Sequence, residues 1–374
     1  MSRPGPLHAQ HVDEGAKFSE FAGWLMPLEF ASGGVVAEHN AVRNAVGIFD
    51  VSHLGTAIVR GPKAMAEFNQ MFTNDLSRLS DGQAQYNLLL DDQAGVIDDL
   101  IVYRVSEDEA ILVPNAANSA EVLQTLEQSL PPSVSVIDLH DQMAILAIQG
   151  PRSPKVLAQL GLPYQMPYMS FVSADDGVTV ARTGYTGEIG YEVMIAVEDA
   201  PNFFTRALAA CKSLGGLPAG LGARDTLRTE MGYALHGHEI SKQIDPLTAG
   251  LSWAIAWDKP SFYGRQALLA KRDGRTSGAT DYKLVGLRAK DRAVLRRGMN
   301  VMARNPDPAG HEPIGEITSG TFSPTLGAGI ALALVSQQLQ EGAEVLVDVR
   351  GRKVACQVVR TPLVQRNPRA LVAE

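Results

Sequence analysis

The stretch AQYNLLLDDQAGVIDDLIVYRVSEDEAILVPN, residues 84–115, decides how the chain is built. Three strand-forming runs, AQYNLLL, VIDDLIVYRV and AILVPN, are separated by the short acidic turns DDQAG and SEDE. Aspartate and glycine favour local reversal, so these strands follow one another with no room for a crossover helix. The helical pattern ANSAEVLQTLEQSL then closes the layer, which predicts an α+β arrangement and argues against a βαβ series.

The central run carries two adjacent acids. In a strand Val96, Asp98, Leu100 and Val102 share one face, and Ile97, Asp99, Ile101 and Tyr103 share the other. Each face therefore holds one carboxylate among apolar neighbours, a costly placement without a hydrogen bond, an ion pair or a ligand. Two readings stay open at this point, a solvated shoulder of the DDQAG turn or a functional acid, and periodicity does not choose between the two aspartates.

Working outward, GGVVAEHNAVRNAV at 33–46 has helical spacing and is expected to end with Gly47 as its C-cap. GPKAMAEFNQMF predicts a helix with Pro62 in its first turn and Phe68, Met71 and Phe72 as a core stripe. VSVIDLHDQMAILAIQG, the helix SPKVLAQLG, strands near 169–197 and the helix APNFFTRALAACKSLG make a second α+β lobe, with no clear sequence repeat of the first. After a polar linker at 272–281, RDGRTSGATD, six strand runs predict a small β-barrel or sandwich.

A chain of 374 residues has room for two or three folding units. Hydrophobic content is 45% and no apolar run approaches the roughly 20 residues that span a bilayer, so no membrane role is expected. Net charge of −8 argues against general nucleic-acid binding. The basic run RAKDRAVLRRG at 288–298 reads as a solvated face or as a docking patch for an acidic partner. Cys211 and Cys356 have no metal or disulfide spacing, and the N-terminal residues lack an apolar signal segment, so a cytoplasmic protein is the expectation.

Two further stretches carry chemistry. RTGYTGEIGYE, 182–192, sets Tyr185, Glu188, Tyr191 and Glu192 among three glycines, which suits either close ligand approach or a plain glycine-rich hairpin. GLGARDTLRTEMGYALHGHE, 220–239, lacks the spacing of a nucleotide loop; as a helix from about Leu221 it puts Arg224 and Arg228 on one face with Asp225 and Glu230 available to pair them. His236, His238 and Glu239 offer too few ligands for a metal, and His53 reads as structural rather than as a base. No serine or cysteine sits in a nucleophile-elbow pattern.

AGWLMPLEF, GIFDVSHLG, GVIDDLIVYR, NAAN, IQGPRS, RTGYTGEIGYE, GLGARDTLRTEMGYALHGHE, GLSWAI and GEITSGTFSPTLG occur in order, and with them the chain from about residue 7 to 363 resembles the aminomethyltransferase (T-protein) family of the glycine cleavage system. The resemblance implies an α+β three-domain cloverleaf around a central folate channel. Its two interleaved lobes would fill residues 1–280, with about 51–139 inserted between 1–50 and 140–280, and a C-terminal β-barrel would fill 281–374. The implied reaction moves the methylene of an aminomethyl group, carried on the lipoyl arm of H-protein, to tetrahydrofolate, releasing ammonia and forming 5,10-methylenetetrahydrofolate. Tetrahydrofolate is then a co-substrate, no metal is expected, and the P-protein and L-protein are functional associates.

By motif position the family's key acid falls on Asp99, while Asp98 is left to structure. Folate contacts fall on Tyr86, Tyr103, Asn115, Tyr168, Tyr185, Glu192 and Arg224, with Glu192 as pterin anchor. The chain departs from the family at Leu54, where members often have methionine, and at its C-terminal end, where the usual basic contact falls to Arg366, to Arg369 or to neither. Two other readings are a tetrahydrofolate-dependent demethylase of a small methylated compound and a non-catalytic folate binder. The second lacks its expected cysteine element here.

Overall fold

A computed structural model describes residues 2–174, 177–274, 281–304 and 312–370. The three runs of the 84–115 stretch form strands Gln83–Leu90, Val96–Ser106 and Glu109–Val113, and the helix Ser119–Ser129 follows. They belong to a five-stranded sheet in the order Gln83–Leu90, Val96–Ser106, Glu109–Val113, Ala57–Arg60, Ser135–Asp138. A six-stranded sheet runs Phe171–Ser173, Thr179–Ala181, Gly190–Ala196, Met143–Gln149, Gly47–Asp50, Leu217–Pro218. Its apolar face packs with helices Ser153–Leu160 and Ala200–Ser213 around Leu146, Ile148, Val193, Phe203 and Phe204. The chain is thus mixed α/β, with short antiparallel connections where the acidic turns sit.

The six C-terminal runs close a barrel in the order Tyr282–Ala289, Ala328–Ser336, Gly315–Ser323, Asn300–Ala303, Glu344–Val349, Arg352–Val359. Its interior holds Leu287, Leu295, Val301, Ile317, Val335 and Val347, all fully buried. Closure leaves no unpaired edge, which a free six-stranded sheet would expose. The linker expected at 272–281 lies mostly outside the described residues. The chain divides into two compact units, Met1–Leu89 with Asp98–Arg224 and Arg366–Glu374, and Leu90–Ile97 with Asp225–Gln365.

Two local expectations are corrected. The helix Gly34–Asn44 ends with Ala45, and Gly47 instead opens a strand. Glycine is needed there for space: a Cβ would come within 2.4 Å of Val42 Cγ2. Pro62 precedes the helix Ala64–Asn69 and its N-cap Lys63, outside the first turn. Phe68, Met71 and Phe72 are buried as a core stripe should be.

Candidate active site

Asp98 and Asp99 differ sharply in burial. Asp98 is fully buried and Asp99 is half-buried, so the strand turns one acid into the protein and leaves the other partly accessible. Strand Val96–Ser106 pairs antiparallel with Glu109–Val113, Ile101 facing Val113. Continuing that register sets Asn115 across from Asp99. Its side-chain amide reaches both acids. Asn115 Nδ2 donates to the Asp99 carbonyl oxygen at 2.8 Å, and to Asp99 Oδ1 and Asp98 Oδ1 at 2.9 Å each.

Asp98 is held further by the Asn115 backbone N–H, 2.9 Å from Oδ2, and by Asn118 Nδ2, 2.6 Å from Oδ1. Asp99 Oδ2 accepts the Tyr86 hydroxyl at 2.9 Å. Burial, and then the neighbouring Asp99 carboxylate, push Asp98 up to about 8 against the pull of its three amide donors. Enclosure and the adjacent Asp99 charge raise the Tyr86 phenol well above its usual value, which keeps it a neutral donor.

A second group forms around Glu192. Thr183 Oγ1 donates to Glu192 Oε2, and the Tyr103 hydroxyl lies 3.4 Å from the same threonine oxygen. Burial raises the Tyr103 phenol well above its ordinary value, with the Glu192 charge adding to it. Backbone bonds from Ala84 N–H to Met169 O and from Phe171 N–H to Gly82 O, each 2.8 Å, carry the Tyr168 segment to the end of strand Gln83–Leu90. Tyr168 is raised by burial first, and the charges of Arg369 and Arg182 oppose the rise.

Arg224 stacks over Tyr185, its Cζ 4.6 Å from the ring centre. His53, buried and held down to about 3 by burial and then by the Arg224 charge, is neutral and contributes no proton at working pH. The glycines of the 182–192 stretch have a structural cause: a Cβ at Gly184 or Gly190 would lie 2.1 Å or 2.4 Å from the Gln149 side chain. That amide donates to Thr183 O and accepts from Thr186 Oγ1, which fixes the loop bearing Thr183 and Tyr185. At the C-terminal end Arg366 pairs with Glu188 at 3.2 Å, and Arg369 lies over Tyr168 at 5.5 Å.

Tyr86, Asp99 and Asn115 are therefore in direct contact, Tyr103 and Glu192 meet through Thr183, and Arg224 meets Tyr185. Sequence reading passed over Asn118 and Thr183; the spacing of NAAN and the residue before Gly184 were the available signals. Arg228 pairs with Asp225 at 2.7 Å and with Glu239 at 2.9 Å, and belongs to the barrel-bearing unit. Glu230, expected to pair the arginines, accepts from Ser323 and from Thr325. His236 contacts the Val96 carbonyl and His238 contacts Ser319, and among the described residues no cluster of metal ligands forms. Part of the basic run is engaged locally: Arg292 lies over Phe322, and Arg297 donates to Gly237 O at 2.6 Å.

A half-buried acid fixed by a phenol and an amide, and in the same unit further phenols, a second acid and a stacked guanidinium, are groups of the kind that enzyme sites for polar small molecules use. The model of the GCVT N-terminal domain matches residues 7–259, and that of the glycine cleavage T-protein C-terminal barrel domain matches 283–365. A curated aminomethyltransferase of Mycolicibacterium paratuberculosis is 53% identical over 96% of each chain. One from a Parafrankia species is 52% identical over 98% of this chain and 99% of its own. The crystal structure of the glycine cleavage system aminomethyltransferase T from Bartonella henselae superposes with a TM-score of 0.90 at 35% identity, covering 98% of this chain and 99% of that one. The chain belongs to the glycine cleavage T-protein family.

Proposed function

We propose that this family member is the aminomethyltransferase of glycine cleavage, moving the methylene of an aminomethyl group from the lipoyl arm of H-protein to tetrahydrofolate with release of ammonia. It is a transferase, as its relatives at 52–53% identity are named. The observation that carries the catalytic assignment is the clamp on Asp99, held on one oxygen by Tyr86 and on the other by Asn115 while it stays partly exposed.

Cleavage of the aminomethyl carrier passes through an electron-poor carbon next to nitrogen. A carboxylate already oriented by two donors stabilises that developing positive charge without reorganising at the moment of reaction. Asp99 also accepts a proton as the new bond forms. Bound tetrahydrofolate supplies the accepting nitrogens. Its flat, donor-rich ring fits Glu192, which Thr183 and Tyr103 hold in place, and its aryl and acidic parts fit Tyr168, Tyr185 and the Arg224 guanidinium. No metal enters this scheme. The P-protein and L-protein are its functional associates, and two buried free cysteines suit a reducing, cytoplasmic setting.

The test is ammonia release from aminomethyl-loaded, lipoylated H-protein. Release that requires both tetrahydrofolate and H-protein supports the reading; no such release, with one-carbon transfer to tetrahydrofolate from a small methylated donor in the absence of H-protein, would replace it with a demethylase.

A further inference from the structure

The acid pair contains more than the proposed reaction uses. Asp98 has no apolar or aqueous reason to be where it is: fully buried, it accepts three N–H groups, all from Asn115 and Asn118, the residues that lead into helix Ser119–Ser129. Two of those three come from Asn115, whose side chain also donates to Asp99. An asparagine amide has two protons, and here they face three acceptors, so its orientation is set by the competition between the two carboxylates and the Asp99 carbonyl.

We propose that Asp98 is a positioning residue for the transfer reaction: it fixes the Asn115 amide against Asp99 and, as the adjoining acid, sets how tightly Asp99 holds a proton. The inference rests on the assignment of Asp99 as the reacting acid. Two carboxylates joined through one amide titrate as a pair, and the negative charge of one raises the other's hold on a proton. Groups facing the pair from its neighbours are the Tyr86 phenol of strand Gln83–Leu90, the Tyr185 phenol beyond it with Arg224 stacked on its ring, and the amides of Asn115 and Asn118. The amides and phenols are neutral. Arg224, set behind the Tyr185 ring, is a cation, and the charge that raises Asp98 is that of Asp99.

A purely structural role for Asp98 predicts lower stability and nothing else. The positioning role predicts a moved pH profile. Asp98 keeps its proton up to about 8, so its ionisation beside Asp99 puts a limb in the kcat profile near that pH, and in Asp98→Asn the pair has one acid and that limb is lost. In Asn118→Ala, Asp98 loses a donor that favours its ionised form, so it holds its proton more tightly and the limb near 8 moves up. Both are measured with aminomethyl-loaded H-protein and tetrahydrofolate, alongside urea unfolding. Folded Asp98→Asn with an unmoved limb overturns the inference; if that variant does not fold, an unmoved limb in Asn118→Ala overturns it. Asp99→Asn separates the two levels. Full turnover there removes the assignment of Asp99 and the inference with it, whereas lost turnover with unmoved limbs in the other variants removes the inference alone.

Discussion

Arg228 in the barrel-bearing unit and Asp98 in the other unit are both ionisable side chains closed off from water, and they are accommodated in opposite ways. Around Arg228 the charges are opposite in sign. Asp225 and Glu239 pair with it, Ser319 takes another of its protons at 2.6 Å, and Glu239 also accepts the Leu235 N–H at 3.0 Å. Beside Asp98 the neighbour is another acid, and the donors to Asp98 are amides. Opposite charges joined by hydrogen bonds make a rigid strut; two acids held by neutral donors, Asp98 keeping its proton below about 8, leave a negative potential at Asp99 that a developing cation can use.

The comparison breaks most visibly at Arg228. Arg228→Leu leaves Glu239 buried without its cation and is expected to cost about 3–5 kcal/mol, read from urea unfolding. A cost under about 1 kcal/mol would mean the cluster is no strut. Next in size, Asp99→Asn is expected to lower turnover by about 10²–10³-fold, the range for removing one preoriented electrostatic group, with folate affinity changed far less. Unchanged turnover would make the acid pair as structural as the Arg228 cluster.

Stability against pH carries the sign of the acid pair. An acid raised in the folded state is fully stabilising below its unfolded value near 4, and that contribution is lost as pH rises through its folded value, here about 8 for Asp98. Stability should therefore decline between about pH 4 and 8 through this group, and Asp98→Asn should flatten the decline. His53 acts in the other direction: depressed to about 3, it costs stability as pH falls below its unfolded value near 6.5. A slope unaltered in Asp98→Asn would deny the like-charge description. Smallest is Tyr103→Phe, which removes the hydroxyl facing Thr183 and is expected to cost about 1 kcal/mol and to raise the KM for tetrahydrofolate a few-fold.

Much of the lobe containing the acids was legible because its signals are local. Alternating apolar runs and the DDQAG and SEDE reversals are contained within a few residues each, and they yield Gln83–Leu90, Val96–Ser106 and Glu109–Val113 nearly residue for residue. Gly47 and Pro62 were misread for a related reason. Both residue types fit several local roles, and the choice at Gly47 was made by the Val42 side chain packed against it. Likewise the dense glycines of 182–192 look like a ligand loop until Gln149, more than thirty residues earlier, is seen to fill the space beside them.

By itself the sequence determined the strand meander, the separation of the two acids onto opposite faces and the barrel-forming C-terminal runs, since each follows from backbone periodicity and turn chemistry. The tertiary structure alone decided that these faces are not independent. Register brings Asn115 opposite Asp99, so that one amide spans both acids, and chain closure over 80 residues brings Thr183 to Tyr103. Such meetings depend on where distant strands align, and no local propensity encodes an alignment.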